Sequence, residues 1–156
     1  TIVTGDLQYK GFNNNLIVRG NAVYGNLGAS GALTTINNSS SAASGYPNTT
    51  VAQNAVSYGG EAGYNIGSFF HSKAPRIYPF IRYEYYNPME KTEANTGLLA
   101  DKRFQVSAVT AGLNYYALPN LVIKADYTHR SIGGGKYNDE NLVSVGIAYI
   151  GWFIKK

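Results

Sequence analysis

The sequence contains no cysteine and few charged residues. Cysteine is absent from all 156 residues, which fits export to a compartment where free thiols are a liability, although many cytosolic proteins of this size also lack it. Asp, Glu, Lys and Arg make up 14% of the chain, whereas ordinary globular proteins have about 25%. The composition is therefore unusual for a soluble domain.

The sequence also lacks long apolar runs. A membrane-spanning helix needs about 20 predominantly apolar residues, and the longest stretch, 147–154, is interrupted by Gly151. This excludes a helical membrane protein. A basic start followed by an apolar segment, as in a signal peptide, is absent too, because Thr1 begins directly in an alternating segment. We expect either that the mature protein starts here or that the chain is a piece of something longer.

Glycine and tyrosine are abundant, with 18 and 14 residues respectively. A tyrosine ring can lie in a membrane interface while its hydroxyl group stays in water, so an excess of tyrosine suggests the aromatic girdles of a membrane barrel. The alternative is a tyrosine-rich soluble β protein.

Polar and apolar residues alternate with a period of two, which is the pattern of β-strands. In 121–130, for example, Lys124, Asp126 and Arg130 share one face, and Ile123 and Tyr127 share the other. The pattern predicts seven strands, at about 3–10, 16–27, 55–69, 76–87, 103–117, 121–130 and 143–153. We therefore predict one all-β domain over 1–156.

The predicted connections alternate in length. Those at 11–15, 70–75 and 118–120 are short, whereas 28–54 and 88–102 are long and 131–140 is intermediate. Outer-membrane barrels have short periplasmic turns and longer extracellular loops, so we predict an antiparallel transmembrane β-barrel with extracellular loops at about 28–54, 88–102 and 131–140. A complete bacterial barrel has an even strand number. Seven strands therefore predict a partial barrel.

The polar side of these strands would face a pore. It carries Lys10, Arg19, Arg82, Lys124 and Arg130 against Asp6, Glu61, Glu84 and Asp126, a net charge of +1 out of +4 for the whole chain. Such a ladder lowers the electrostatic barrier for hydrated solutes in a low-dielectric membrane. We predict that the pore-lining residues are Lys10, Arg19, Glu61, Arg82, Glu84, Lys124, Asp126 and Arg130. The alternative is that opposite charges pair across strands and only solvate the wall.

Other chemistry has little support in the sequence. The two histidines, His71 and His129, are far apart and belong to no metal-ligand pattern, so we predict no metal site and no cofactor. No Ser, His and carboxylate set is singled out for catalysis. Gly133–Gly135 with Lys136 lacks the spacing of a phosphate loop, and basic residues do not cluster with aromatic ones as in nucleic-acid binding. We predict that the protein is not an enzyme and binds no nucleic acid.

Two segments resemble the carboxyl-terminal half of the phosphate-selective porin O and P family of Gram-negative bacteria. They are Gly112 to Tyr127, with the sequence GLNYYALPNLVIKADY, and Tyr78 to Glu84, with the sequence YPFIRYE. The resemblance implies a trimeric barrel of about 16 strands, more than this chain contains. It also implies a water-filled pore for small anionic solutes in the bacterial outer membrane.

The functional prediction is a porin, a channel for passive diffusion of small hydrophilic solutes, anionic ones among them. The expected partners are the lipid bilayer, the solutes, two further copies in a homotrimer, and the barrel-assembly machinery during insertion. One alternative is a non-channel surface barrel whose loops bind a partner. The other is a soluble ligand-binding β-barrel, in which Tyr64, Tyr83 and Tyr127 would line an inward pocket.

Overall fold

Seven antiparallel strands form one open sheet, in which each strand pairs only with its neighbours along the chain. The computed structural model describes residues 1–44, 50–70, 75–93, 100–149 and 151. The strands are β1 (Ile2–Gly11), β2 (Leu16–Asn26), β3 (Asn54–Tyr64), β4 (Arg76–Lys91), β5 (Val106–Leu118), β6 (Leu121–Ile132) and β7 (Asp139–Tyr149). The predicted all-β fold of about seven antiparallel strands is confirmed, with β1 and β7 as the two edges.

Two tight connections follow directly from the local sequence. Between β1 and β2, Phe12, Asn13 and Asn14 have φ angles of 51°, 56° and 65°, a left-handed conformation that asparagine tolerates better than most residues. Asn15 N–H donates to the carbonyl oxygen of Phe12 at 3.1 Å and closes this turn. Between β5 and β6, Pro119 and Asn120 alone make the turn.

The segment predicted as a long loop at 28–54 does connect β2 to β3, but an α-helix, α1 (Ser30–Ser44), lies within it, and the prediction missed this helix. The segment is rich in Ser, Thr and Asn, which compete with helical hydrogen bonds when they are considered locally. The start of the helix contacts the distant Glu93, described below, which no local pattern reveals. Residues 45–49 lie outside the described part of the chain.

Several predicted boundaries also need correction. The third predicted strand does not reach 69, because β3 ends at Tyr64 and a 3₁₀ helix follows at Ile66–Phe69. The loop at 88–102 starts later, since β4 continues to Lys91, and its residues 94–99 lie outside the described part. A 3₁₀ helix at Lys102–Phe104 precedes β5. The loop at 131–140 shortens to 133–138. For the strand predicted at 143–153, residues 150, 152 and 153 are not described.

The meander places successive connections on opposite rims of the sheet. The turn rim carries 12–15, 65–75 and 119–120, and the loop rim carries 27–53, 92–105 and 133–138. The β3–β4 connection is longer than predicted and exceeds the β6–β7 connection in length. The loop-rim connections 27–53 and 92–105 are therefore longer than every connection of the turn rim, whereas 133–138 is shorter than 65–75.

The sheet is a single layer with two different faces. In each antiparallel ladder, directly opposed residues project to the same side. The register joins Arg19, Glu61 and Arg82 in one row on the polar face, and Val18, Ala62 and Ile81 in one row on the apolar face. The buried hydrophobic side chains among the described residues are Val106 and Val122. Most of the apolar side chains are therefore displayed on a surface and do not pack in a core.

Candidate functional site

The cross-strand register places all eight residues predicted to line a pore on the polar face. Two charged residues that were not predicted to line the pore, Arg76 and Glu140, lie on the same face. Arg76 directly opposes Tyr116, and Glu140 directly opposes Arg130. The charged residues in the paired rows of this face are Lys10, Arg19, Arg76, Arg82, Lys124 and Arg130 against Asp6, Glu61, Glu84, Asp126 and Glu140. The net charge is still +1. Glu140 was missed because it was assigned to a loop.

The centre of the polar face holds an Arg–Glu–Arg row across three adjacent strands. Glu61 on β3 accepts hydrogen bonds from Nε and Nη2 of Arg82 on β4, at 2.9 and 2.5 Å, through one carboxylate oxygen, Oε2. Its other oxygen, Oε1, lies 3.6 Å from Nη1 of Arg19 on β2. The register sets this arrangement, because Glu61 directly opposes Arg19 on one side and Arg82 on the other.

A second charged cluster lies nearer the loop rim. Nη1 of Arg130 lies 2.8 Å from Oε2 of Glu140 on the neighbouring strand. Its Nη2 donates to the hydroxyl oxygen of Tyr86 at 3.3 Å. Glu84 belongs to the same row, separated from Arg130 by Ala108 on β5, and the small side chain of Ala108 leaves space between them.

The remaining predicted pore-lining residues are not drawn into ion pairs. Lys10, Glu84, Lys124 and Asp126 form no salt bridge with any residue of the described ranges, whereas Arg19, Glu61, Arg82, Arg130 and Glu140 do. Pairing across neighbouring strands therefore explains part of the ladder. With Asp6 and Arg76, six of the eleven charged residues on this face form no salt bridge with a described residue and remain to interact with water or solutes.

Two concavities lie on the polar face. The larger, of about 500 Å³, is lined by Asp6, Gln8, Arg19, Asn21, Glu61, Arg82 and Glu84 together with nearby backbone. The smaller, of about 240 Å³, includes Glu84, Tyr86 and Arg130 in its lining. Gly59, between Asn21 and Glu84 in the ladder, adds no side chain to this surface. The hollow side of this part of the sheet is therefore polar.

The apolar face is exposed and carries its charges only at the loop-side edge. Within the described strands, the charged residues on this side are Glu90, Lys91 and Asp139, all near the loop rim. Leu7, Ile81 and Val145 are 66%, 58% and 76% exposed. Tyr58 stacks on Tyr85 with ring centroids 4.9 Å apart. Apolar and tyrosine side chains thus form much of this exposed face.

The three tyrosines that would line the pocket of a soluble barrel lie on this apolar face. Tyr83 and Tyr127 are exposed, and Tyr64 is half-buried and stacks on Phe69 with ring centroids 5.4 Å apart. Neither concavity includes any of them in its lining. The geometry gives the soluble-barrel alternative no specific support.

Two connections contact each other at the loop rim. The Glu93 carboxylate accepts hydrogen bonds from the Gly31 N–H at 2.5 Å and from the Ser30 hydroxyl at 3.2 Å, at the start of α1. The Val51 N–H donates to the Thr34 hydroxyl at 3.0 Å, and the Ser30 and Thr34 side chains are fully buried. The β2–β3 and β4–β5 connections are thereby joined.

The 3₁₀ helix of the β4–β5 connection is capped by Asp101. Its carboxylate accepts from the backbone N–H of Arg103 at 2.9 Å, and the Arg103 guanidinium approaches the same group at 2.6 Å. The hydrogen bonds from the Arg103 side chain and backbone hold the pKa of Asp101 below its ordinary value.

The described residues bring together no three His, Cys, Asp or Glu side chains that could hold a metal ion. His129 shares a hydrogen bond of 2.9 Å with Asn141, and His71 lies outside the described ranges. No helix within the described ranges has the length and apolarity needed to cross a membrane.

No family model, curated protein or solved structure matches the chain. The resemblance of 112–127 and 78–84 to the phosphate-selective porins stays a prediction.

Proposed function

We propose that the chain forms part of an outer-membrane β-barrel that works as a porin, a channel for passive diffusion of small hydrophilic solutes, anionic ones among them. The observation that carries the proposal is the segregation of the two faces. One side of seven paired strands bears eleven charged residues in register, and the other exposes aliphatic and tyrosine side chains across its central rows. Lipid would cover the apolar face and water would fill the polar side.

Closure of the sheet is part of the same proposal. Unpaired backbone groups are too costly in hydrocarbon, so β1 and β7 must find strand partners there. These two edges run in the same direction, because the meander has an odd number of strands. A closed antiparallel barrel therefore needs an odd number of further strands, which supports a partial barrel. The homotrimer, the outer-membrane location and insertion by the barrel-assembly machinery rest on the porin resemblance alone.

The polar face supports diffusion by offering groups that exchange for hydration water. Lys10, Glu84, Lys124 and Asp126 are not held in ion pairs with described residues. A solute crossing the membrane can interact with them in turn, which lowers the electrostatic barrier without a single tight site. Since the net charge of this face is only +1, we expect a weak anion preference.

Single-channel conductance of the complete protein in a planar bilayer tests the proposal. A salt gradient across the bilayer gives the ion preference from the reversal potential. We expect steady conductance steps and a reversal potential biased modestly toward anions. Correctly folded, inserted protein that conducts no ions would contradict the channel.

A second candidate function is a non-channel surface barrel that binds a partner through its loops. The observation that favours it is a contact at the loop rim, where the Glu93 carboxylate accepts from the Gly31 N–H and the Thr34 hydroxyl accepts from the Val51 N–H. A rim built from two joined connections can present a fixed surface. Inserted protein without conductance would make this rim the working surface.

A further inference from the structure

We propose that Glu61 sets the ion preference of the polar face by holding the guanidinium groups of Arg19 and Arg82. The inference rests on the proposed channel for its effect on ions. The underlying contact can be tested without a channel. Glu61 would thus be a positioning residue, acting through the two arginines.

The geometry distinguishes Glu61 from the other acidic residues of this face. Both of its carboxylate oxygens are engaged, Oε2 by Arg82 and Oε1 by Arg19. Its side chain is 18% exposed, whereas those of Arg19 and Arg82 are 57% and 41% exposed. The carboxylate therefore lies low on the sheet between two guanidinium groups that reach toward the larger concavity.

Glu84 is a natural counterpart within the same concavity. It lines that concavity together with Glu61, and it is one row away on the same face. It forms no salt bridge with a described residue. Removal of the charge of Glu84 changes the field of the polar face but releases no arginine.

The row as a whole explains why the position matters. Two cations and one anion stand side by side, so that the carboxylate offsets much of the attraction that the arginines would exert on a solute anion. Without the carboxylate charge, both guanidinium groups lose their ionic partner and become available to an anion, which they bind with fork geometry. The loss of Glu61 should therefore change anion access more than the loss of one negative charge does elsewhere.

The first experiment compares Glu61→Gln with Glu84→Gln in planar bilayers under a salt gradient. Both substitutions remove one negative charge from the same concavity. We expect the anion-to-cation permeability ratio to rise about threefold in Glu61→Gln, and clearly less in Glu84→Gln. Equal shifts in the two variants would show an effect of net charge alone and overturn the positioning role.

The second experiment measures the contact itself in detergent-folded full-length protein. Solvent exchange of the Arg82 Nε–H proton is followed by NMR, because this proton is donated to Glu61 at 2.9 Å. We expect Glu61→Gln to accelerate the exchange several-fold and Glu84→Gln to leave it nearly unchanged. Equal exchange in the wild type and in Glu61→Gln would contradict the contact.

The two experiments separate failure of the inference from failure of the proposed function. Protected Arg82 exchange in a folded protein that conducts no ions would retain the Glu61 contact and refute its role in ion preference together with the channel. A conducting protein whose ion preference is the same in Glu61→Gln and Glu84→Gln would retain the channel and refute the inference.

Discussion

Asn65 fixes the turn rim through its side chain. It is buried, and its amide group donates to Oδ1 of Asn15 at 3.0 Å while its Oδ1 accepts from the Ile77 N–H at 3.1 Å. One side chain thus joins the β1–β2 turn, the end of β3 and the start of β4. A buried polar group left without its partner costs about 1–3 kcal/mol.

We expect Asn65→Ala to lower the free energy of unfolding by about 1–3 kcal/mol, because the Ile77 N–H loses its acceptor. Urea titration of the protein in micelles, followed by far-UV circular dichroism, measures the change. Asn138→Ala is the control, since the Asn138 side chain is exposed in the β6–β7 connection. Equal stability of the two variants would show that the Asn65 amide is dispensable.

The Asp101–Arg103 contact gives a prediction about pH. The pKa of Asp101 is lowered from its ordinary 3.8 by the hydrogen bonds from Arg103. A carboxyl group whose pKa is lowered by folding stabilises the folded state at any pH above its pKa in the unfolded chain. That stabilisation disappears as the pH falls through its pKa in the folded protein. The contact should therefore be complete at neutral pH and lost only in acid below 3.8.

We expect the pKa of Asp101 to lie below 3.8 in the wild type and to rise in Arg103→Gln, which loses the hydrogen bonds from the side chain but keeps the one from the backbone N–H. An NMR pH titration measures both. Lys102→Gln removes the same charge from the neighbouring residue, which does not bond to Asp101, and should leave the titration nearly unchanged. A similar shift in both variants would assign the lowered pKa to the general field of the loop.

The strands could be predicted from the sequence, and the helix could not. Strands such as β6 show an alternation of polar and apolar residues with a period of two, which can be recognised in the sequence alone. The exact ends of β3 and β4 depend on partners across the sheet, such as Asn15 for Asn65. The start of α1 is hydrogen-bonded to Glu93, which is 62 residues from Gly31 along the chain. No local pattern encodes such a contact.

We expect Glu93→Gln to loosen the start of α1. A carboxylate at a helix N-terminus contributes about 0.3–1 kcal/mol through the helix dipole, so the Gly31 amide should exchange with solvent roughly twofold to fivefold faster. Hydrogen exchange followed by NMR or mass spectrometry measures it. Glu90→Gln is the matched control, because Glu90 accepts from Asn87 and not from α1.

An equal acceleration in Glu90→Gln would show that the loop rim responds to charge in general. It would then remove Glu93 as the specific link between the two connections. Unchanged exchange in both variants would assign the order of α1 to its buried Ser30 and Thr34 side chains instead.

The candidate site was predictable as a set of residues but not as a set of contacts. Alternation alone assigns Arg19, Glu61 and Arg82 to one face. It cannot give the register, and a slip of two residues would retain the face while separating Glu61 from both arginines. The pairing therefore became visible only with the ladders, as did the addition of Glu140.

The two faces of the sheet should tolerate introduced charge differently. Ile81 lies on the apolar face and Ser144 on the polar face, and both side chains are exposed. In a lipid-embedded barrel, an arginine on the lipid side costs about 2–4 kcal/mol near the bilayer centre, whereas one on the lumen side costs little. In water, both substitutions would be nearly neutral.

We expect Ile81→Arg to reduce the yield of folded protein in lipid vesicles strongly and Ser144→Arg to leave it close to that of the wild type. Folding yield as a function of urea concentration, read from protection against protease, gives the measurement. Equal tolerance of the two arginines would contradict a lipid-covered apolar face.

The sequential strand order has a consequence for how such a sheet can grow. Because β1 to β7 pair strictly in chain order, each new strand can pair with its neighbour along the chain, and the sheet can form one strand at a time from either end. Gene duplication of one hairpin would add two strands and leave every existing ladder intact. A single added strand would instead make the two edge strands run in opposite directions. One such step therefore decides whether the two edges can pair as antiparallel strands.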